Sequence, residues 1–128
     1  MISYTLTKKG KRIMQRLLEK GKLEEAALIG LLYQMPIRVG DAVTLRKSDL
    51  SERYVLKTAE KSGEIYRKHS GSPFRISKQL NNLLLSVNKD SDVIFTKSKA
   101  YYQKWFRNHY KDFGLYDFRR AYRKYYDR

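Results

Sequence analysis

Apolar positions recur at helical spacing at the start of the chain. Ile13, Leu17 and Leu18 share one face of a segment over residues 8–20, and Lys8, Lys9, Lys11, Arg12 and Arg16 occupy the others. Thr7 is expected to cap this helix and Gly21 to end it. A second helix is expected from Leu23, with Glu24 and Glu25 in a first turn that favours negative charge. Its run over residues 26–32 is apolar on every side, which places it in the middle of a domain rather than on its skin. Pro36 stops it, and Val39, Ala42, Val43 and Leu45 fit a short third helix.

The pattern then changes period. Ser48-Asp49 reads as a turn, Tyr54-Val55-Leu56 as a short strand, residues 60–63 as a turn, and Ile65-Tyr66 as the return strand of a hairpin. Pro73 breaks the chain again. Ile76, Leu80, Leu83, Leu84 and Val87 define an amphipathic helix, followed by a polar loop over residues 88–92. From Ser98 to Asp112 the pattern is helical, with Tyr102, Trp105, Phe106 and Tyr110 as an aromatic stripe and Gly114 beyond its end. A last helix is expected from Asp117 to about Tyr126, carrying Phe118, Ala121, Tyr122 and Tyr125. No repeat, linker or low-complexity segment interrupts this plan. The expected fold is mainly α with a small antiparallel β-hairpin, in a single domain over residues 1–128.

Charge changes the picture more than size does. The 28 Lys and Arg against 13 Asp and Glu give a net +15 on 128 residues. A domain so charged repels itself unless a polyanion is its partner, with nucleic acid first and an anionic membrane surface second. The membrane is disfavoured because each apolar face is needed for the core, and no apolar run approaches spanning length. With 41% hydrophobic residues the chain is not a disordered basic tail. It has no Cys and two His, so neither a disulfide framework nor a metal site is expected. There is no nucleotide-binding glycine loop, and His69 and His109 read as surface or structural groups. The segment from Lys97 onward holds ten basic residues and 11 of the chain's 17 aromatics. Most of those aromatics are expected in the core, and the basic groups, with Lys97, Lys99 and Arg123 among them, on phosphates.

Three segments, in order, carry a resemblance. The first runs from Leu32-Tyr33-Gln34-Met35-Pro36-Ile37-Arg38 through Asp41 and Val43-Thr44-Leu45 to Ser48-Asp49-Leu50. The second is the Lys61-Ser62-Gly63 turn, and the third is Leu115-Tyr116-Asp117-Phe118-Arg119-Arg120-Ala121-Tyr122. Together they resemble the first arginine box, the lysine hairpin and the second arginine box of the tyrosine recombinases, the phage integrases. The resemblance puts Arg38 and Arg119 at the two catalytic arginines, Asp41 at the acid of the first box, and Lys61 at the catalytic lysine. Tyr116 stands where the family usually has His or Lys. The resemblance covers residues 23 to the end and implies a recombinase catalytic-domain-like fold. In that chemistry two arginines hold the scissile phosphate, the lysine protonates the leaving 5′-hydroxyl, and a tyrosine attacks to form a 3′-phosphotyrosine bond.

The family's later helices, with the nucleophilic tyrosine, have no counterpart in the nine residues after Arg119, and its separate amino-terminal clamping domain has none either. Tyr122, Tyr125 and Tyr126 lie too early to match the nucleophile. The expectation is therefore a truncated, non-catalytic DNA-binding protein, acting as regulator or accessory factor of a mobile element or virus. Arg38, Lys61, Arg119 and Arg120 would form its phosphate site. Its partner is the DNA backbone, with no membrane, small-molecule substrate, cofactor or metal, and with self-association or a partner chain left open. Its expected place is cytoplasmic, on a nucleoid or in a host cell. One alternative is a fragment of an active recombinase whose nucleophile comes from another chain. Another is a generic basic RNA- or DNA-binding domain, which would leave Arg38 and Arg119 on opposite faces.

Overall fold

The helix that is apolar on every side becomes the axis of the molecule. In the computed structural model, which describes the backbone of residues 2–126 and the side chains of residues 6–124, α2 spans Leu23–Gln34. Every residue from 26 to 32 in it is buried. Helices α1 (Ile2–Glu19), α3 (Val39–Val43), α4 (Lys78–Ser86) and α6 (Leu115–Tyr126) pack around it, and α5 (Lys99–His109) meets α3. The chain is mainly helical, with one small antiparallel sheet.

α1 begins well before the expected cap, so Thr7 lies inside the helix. Its buried face is Leu6, Gly10, Ile13, Met14 and Leu17. Gly10 looks like a gap in the apolar pattern, yet it marks the crossing point. A Cβ there would stand 2.8 Å from Tyr33 Cβ on α2 and 3.0 Å from Phe118 on α6. Gly21 ends the helix as expected. With φ 74° it closes a Schellman turn, in which Lys22 N donates to Leu17 O and Gly21 N to Leu18 O.

The sheet departs from the expected hairpin. Its order is β1 (Leu50–Ser51), β2 (Tyr54–Val55), β3 (Phe74–Arg75), antiparallel throughout, with Leu50 opposite Val55 and Val55 opposite Phe74. The return strand is thus Phe74–Arg75 and not Ile65-Tyr66. The turn at 60–63 exists, but only Thr58 and Ile65 bridge across it. Ala59 N donates to Glu64 O and Tyr66 N to Lys57 O across the turn, but the pairing stops there, and the Tyr66 hydroxyl bonds to α3. Residues 56–73 therefore form an excursion between two paired strands, and a 3-10 turn (Lys47–Asp49) leads into β1.

The later helices follow their sequence signals closely. Ser77 and Ser98 cap α4 and α5, each hydroxyl accepting a backbone N–H three residues on. α6 starts two residues before the expected Asp117, because that carboxylate reaches back to the Gly114 amide as a third-position cap. Tyr102, Phe106 and Phe118 are fully buried, while Trp105, Tyr110 and Tyr122 pack against the core from its edge. The side chains of Tyr125 and Tyr126 lie outside the described residues.

Candidate nucleic-acid interface

The break after α2 builds the first wall of the site. Met35 and Ile37 are buried on either side of Pro36, which pins the chain to the core as it turns. Arg38 follows at the cap of α3 with extended backbone, and its amide donates to the Tyr66 hydroxyl at 3.2 Å. Three residues on, Asp41 is the one buried charged residue among those described. Its Oδ2 accepts from the Tyr66 hydroxyl at 2.5 Å and its Oδ1 from the Glu60 amide at 3.2 Å. Both oxygens therefore hold the excursion, one on each side of the 60–63 turn. Lys61 is delivered to α3 by this tie.

Burial raises the Tyr66 pKa, and the bond to the Asp41 carboxylate raises it further, to about 12. The hydroxyl stays a neutral donor at any physiological pH.

α6 supplies the opposite wall. Arg119 is half-buried, and its Nε donates to Pro36 O at 3.0 Å. That bond orients the guanidinium edge-on and leaves the two Nη groups for a ligand. Burial, then the nearby charges of Arg38 and Arg123, lower the pKa of Arg119. The cation is held where charge is costly, and an anion between the two guanidiniums relieves that cost. From α5, Lys99 runs its stem past Gly40, its Cδ 3.7 Å from where a Cβ there would lie. Gln103, one turn on, lines the same space.

These groups enclose a cleft of about 260 Å³. Arg38, Lys61, Lys99 and Arg119 line it against the carboxylates of Asp41 and Glu60, and Tyr116 stands at its side. Asp41 is occupied by its own donors. Planar bidentate donors, flexible ammonium groups and an amide suit a phosphodiester, whose non-bridging oxygens accept from several directions.

The structure thus brings Arg38, Lys61, Arg119, Tyr116 and Lys99 to one place. The other sequence-predicted residues lie off its lining. The Arg120 guanidinium lies 5.8 Å from the Tyr116 ring centre, at the rim. Arg123 is one turn beyond Arg119 and acts on it through charge. Lys97 sits over the Tyr101 ring at 5.5 Å and does not reach the cleft. Sequence reasoning missed Gln103, Tyr66 and Glu60. Gln103 was signalled by its spacing of four from Lys99 on α5, but Tyr66 and Glu60 had no local signal.

No protein-family model, curated protein or solved structure matches this chain. Among the described residues, no helix is long and apolar enough to cross a membrane.

Proposed function

We propose that this chain binds the phosphate backbone of DNA in the α3–α5–α6 cleft, and that the cleft corresponds to the phosphodiester site of a tyrosine-recombinase catalytic domain. The observation that carries this reading is the meeting of Arg38, Lys61 and Arg119, from three separate segments, around one cavity. A generic basic domain has no reason to gather those three. A half-buried Arg119 with the charge of Arg38 set against it is a poor structural device and a good anion site.

Binding, rather than strand cleavage, is what the described side chains favour. Tyr116 lines the cleft at the family's His or Lys position, and the Tyr122 ring packs edge-on against Phe74 at 5.9 Å. A regulator or accessory factor of a mobile element or virus is the role such a binder fits. Arg38→Ala and Arg119→Ala should each weaken binding to duplex DNA about tenfold to hundredfold, the worth of a charge-assisted hydrogen bond of about 1.5–3 kcal/mol. Lys89→Ala, on an exposed loop, should change it little. Unchanged affinity in both arginine variants, measured by fluorescence anisotropy, sinks the assignment.

Lys61 favours a second reading. A lysine at the cleft adds to the grip on a backbone, and in strand cleavage it would also protonate a leaving 5′-hydroxyl. On that reading another chain provides the nucleophile. A suicide DNA substrate that yields no covalent product, alone or with a complementing fragment, excludes it.

A further inference from the structure

A second basic groove lies at the other end of α5. It has a volume of about 490 Å³ and runs between α1 and the corner that joins α5 to α6. Lys9, Arg12 and Arg16 project into it from α1, and His109 and Lys111 from the corner, against the single carboxylate of Asp112. Arg12, Arg16 and Lys111 are exposed. Among the described residues, no carboxylate lies within ion-pair distance of these groups. The floor is apolar. Tyr110 stacks on Phe106 with ring centres 4.6 Å apart, and the Lys9 ammonium caps the Phe113 ring at 5.4 Å. A groove with basic groups on both walls and aromatic rings at its floor suits an extended polyanion rather than a single ion.

Its placement relative to the first cleft is what gives it meaning. Lys99 and Gln103 line the cleft, and Tyr110 lines the groove. Lys99 and Gln103 stand in the first half of α5, and His109 and Tyr110 are its last residue and its cap. The cleft and the groove therefore lie at opposite ends of the same helix, with the exposed Arg107 between Gln103 and His109 in sequence. α5 has 11 residues and is about 16 Å long, which is the axial rise of about five base pairs. Along α1, Lys9 to Arg16 cover about 10 Å, or three nucleotides of one strand.

We infer that the α1–α5 groove is a second backbone-contact site. The same DNA duplex that enters the cleft continues along α5 and lays its phosphates on Arg12, Arg16 and Lys111. The inference builds on the DNA-binding reading but concerns different residues, so the two fail separately.

The test compares two charge-matched double variants of the full chain on a random-sequence duplex of about 20 base pairs, long enough to cover both sites. In Arg12→Gln/Arg16→Gln the slope of log K against log salt should become shallower by about 2, close to 0.9 per lost phosphate contact. In Lys78→Gln/Lys89→Gln, with both residues exposed and away from either site, the slope should stay within about 0.5 of the parent. Equal slope changes in the two pairs, or none in the first, overturn the inference. If the groove pair flattens the slope while Arg38→Ala and Arg119→Ala leave affinity intact, the groove stands and the cleft assignment falls.

Discussion

Tyr66 shows how one side chain positions another without touching a ligand. Its hydroxyl takes the Arg38 amide as donor and gives its own proton to Asp41, so one oxygen pins the excursion twice to the start of α3. Removing it leaves a buried carboxylate oxygen short of a donor, which costs about 1–3 kcal/mol. Tyr66→Phe should lower stability by that amount in denaturant unfolding. It should also weaken DNA binding by about the same factor as Lys61→Ala, since the lysine's turn loses its anchor. Combining Tyr66→Phe with Lys61→Ala should then add little further loss of affinity. Gly10 makes the opposite point, that an absent side chain carries information. Gly10→Ala gains helix propensity of about 1 kcal/mol, but the new methyl meets Tyr33 Cβ, which cannot rotate away. A net destabilisation of about 1–2 kcal/mol is expected by thermal or chemical unfolding.

At the scale of elements, the helices and the strand at Tyr54–Val55 were legible, and the pairing of the sheet was not. α2, α3, α4 and α5 stand close to where apolar spacing, Pro36 and the serine caps placed them. The β1–β2 turn was invisible because Glu52 and Arg53 occupy it with φ of 48° and 73°, a conformation that usually announces itself with Asn or Gly. The strain is held by Arg53, whose Nε and carbonyl both bond to the backbone of Ile76. Of the site, Arg38, Lys61 and Arg119 were found through motif order, whereas Tyr66 and Glu60 were not, because their partner Asp41 is distant in sequence.

Glu24 joins α2 to the segment before α5. Burial opposes its charge, yet bonds from the Thr96 amide, the Tyr102 hydroxyl, the Thr96 hydroxyl and Asn88 outweigh that and hold its pKa below the usual 4.5. A depressed carboxylate stabilises the fold above pH 4.5, and that contribution disappears as pH falls through the lower folded value. Tyr66 acts at the other limb. Its raised pKa contributes stability below pH 10 that is lost as pH rises toward about 12. Glu24→Gln should therefore flatten the acid limb of a stability–pH curve, and it should also soften the alkaline limb, because the Glu24 carboxylate helps raise the Tyr102 pKa.

At the scale of the whole molecule, a net +15 on one domain makes the free protein work against its own charge. Among the described residues, Arg46 pairs with Asp92 at 3.5 Å, and both side chains are exposed, so this pair offsets little of the repulsion. Raising ionic strength should raise the melting temperature of the free protein while weakening its hold on DNA, two opposite responses to the same screening. Duplex DNA added at low salt should raise the melting temperature, by an amount that grows with the logarithm of its concentration relative to Kd. A protein whose melting point is indifferent to salt would contradict this electrostatic picture.

The burial of α2 on all sides has a mechanical consequence. A cylinder that is greasy all round takes its rotational phase from shape, as where Tyr33 meets Gly10 and Gly30 meets Leu80. Two polar pins, one at each end, reinforce that phase. Glu24 is locked to Thr96 and Tyr102, and Gln34 to the backbone and hydroxyl of Ser77. The chain leaves α2 one residue after the second pin and reaches Arg38 three residues later. The aim of the first arginine is thus set by the clocking of a buried axle.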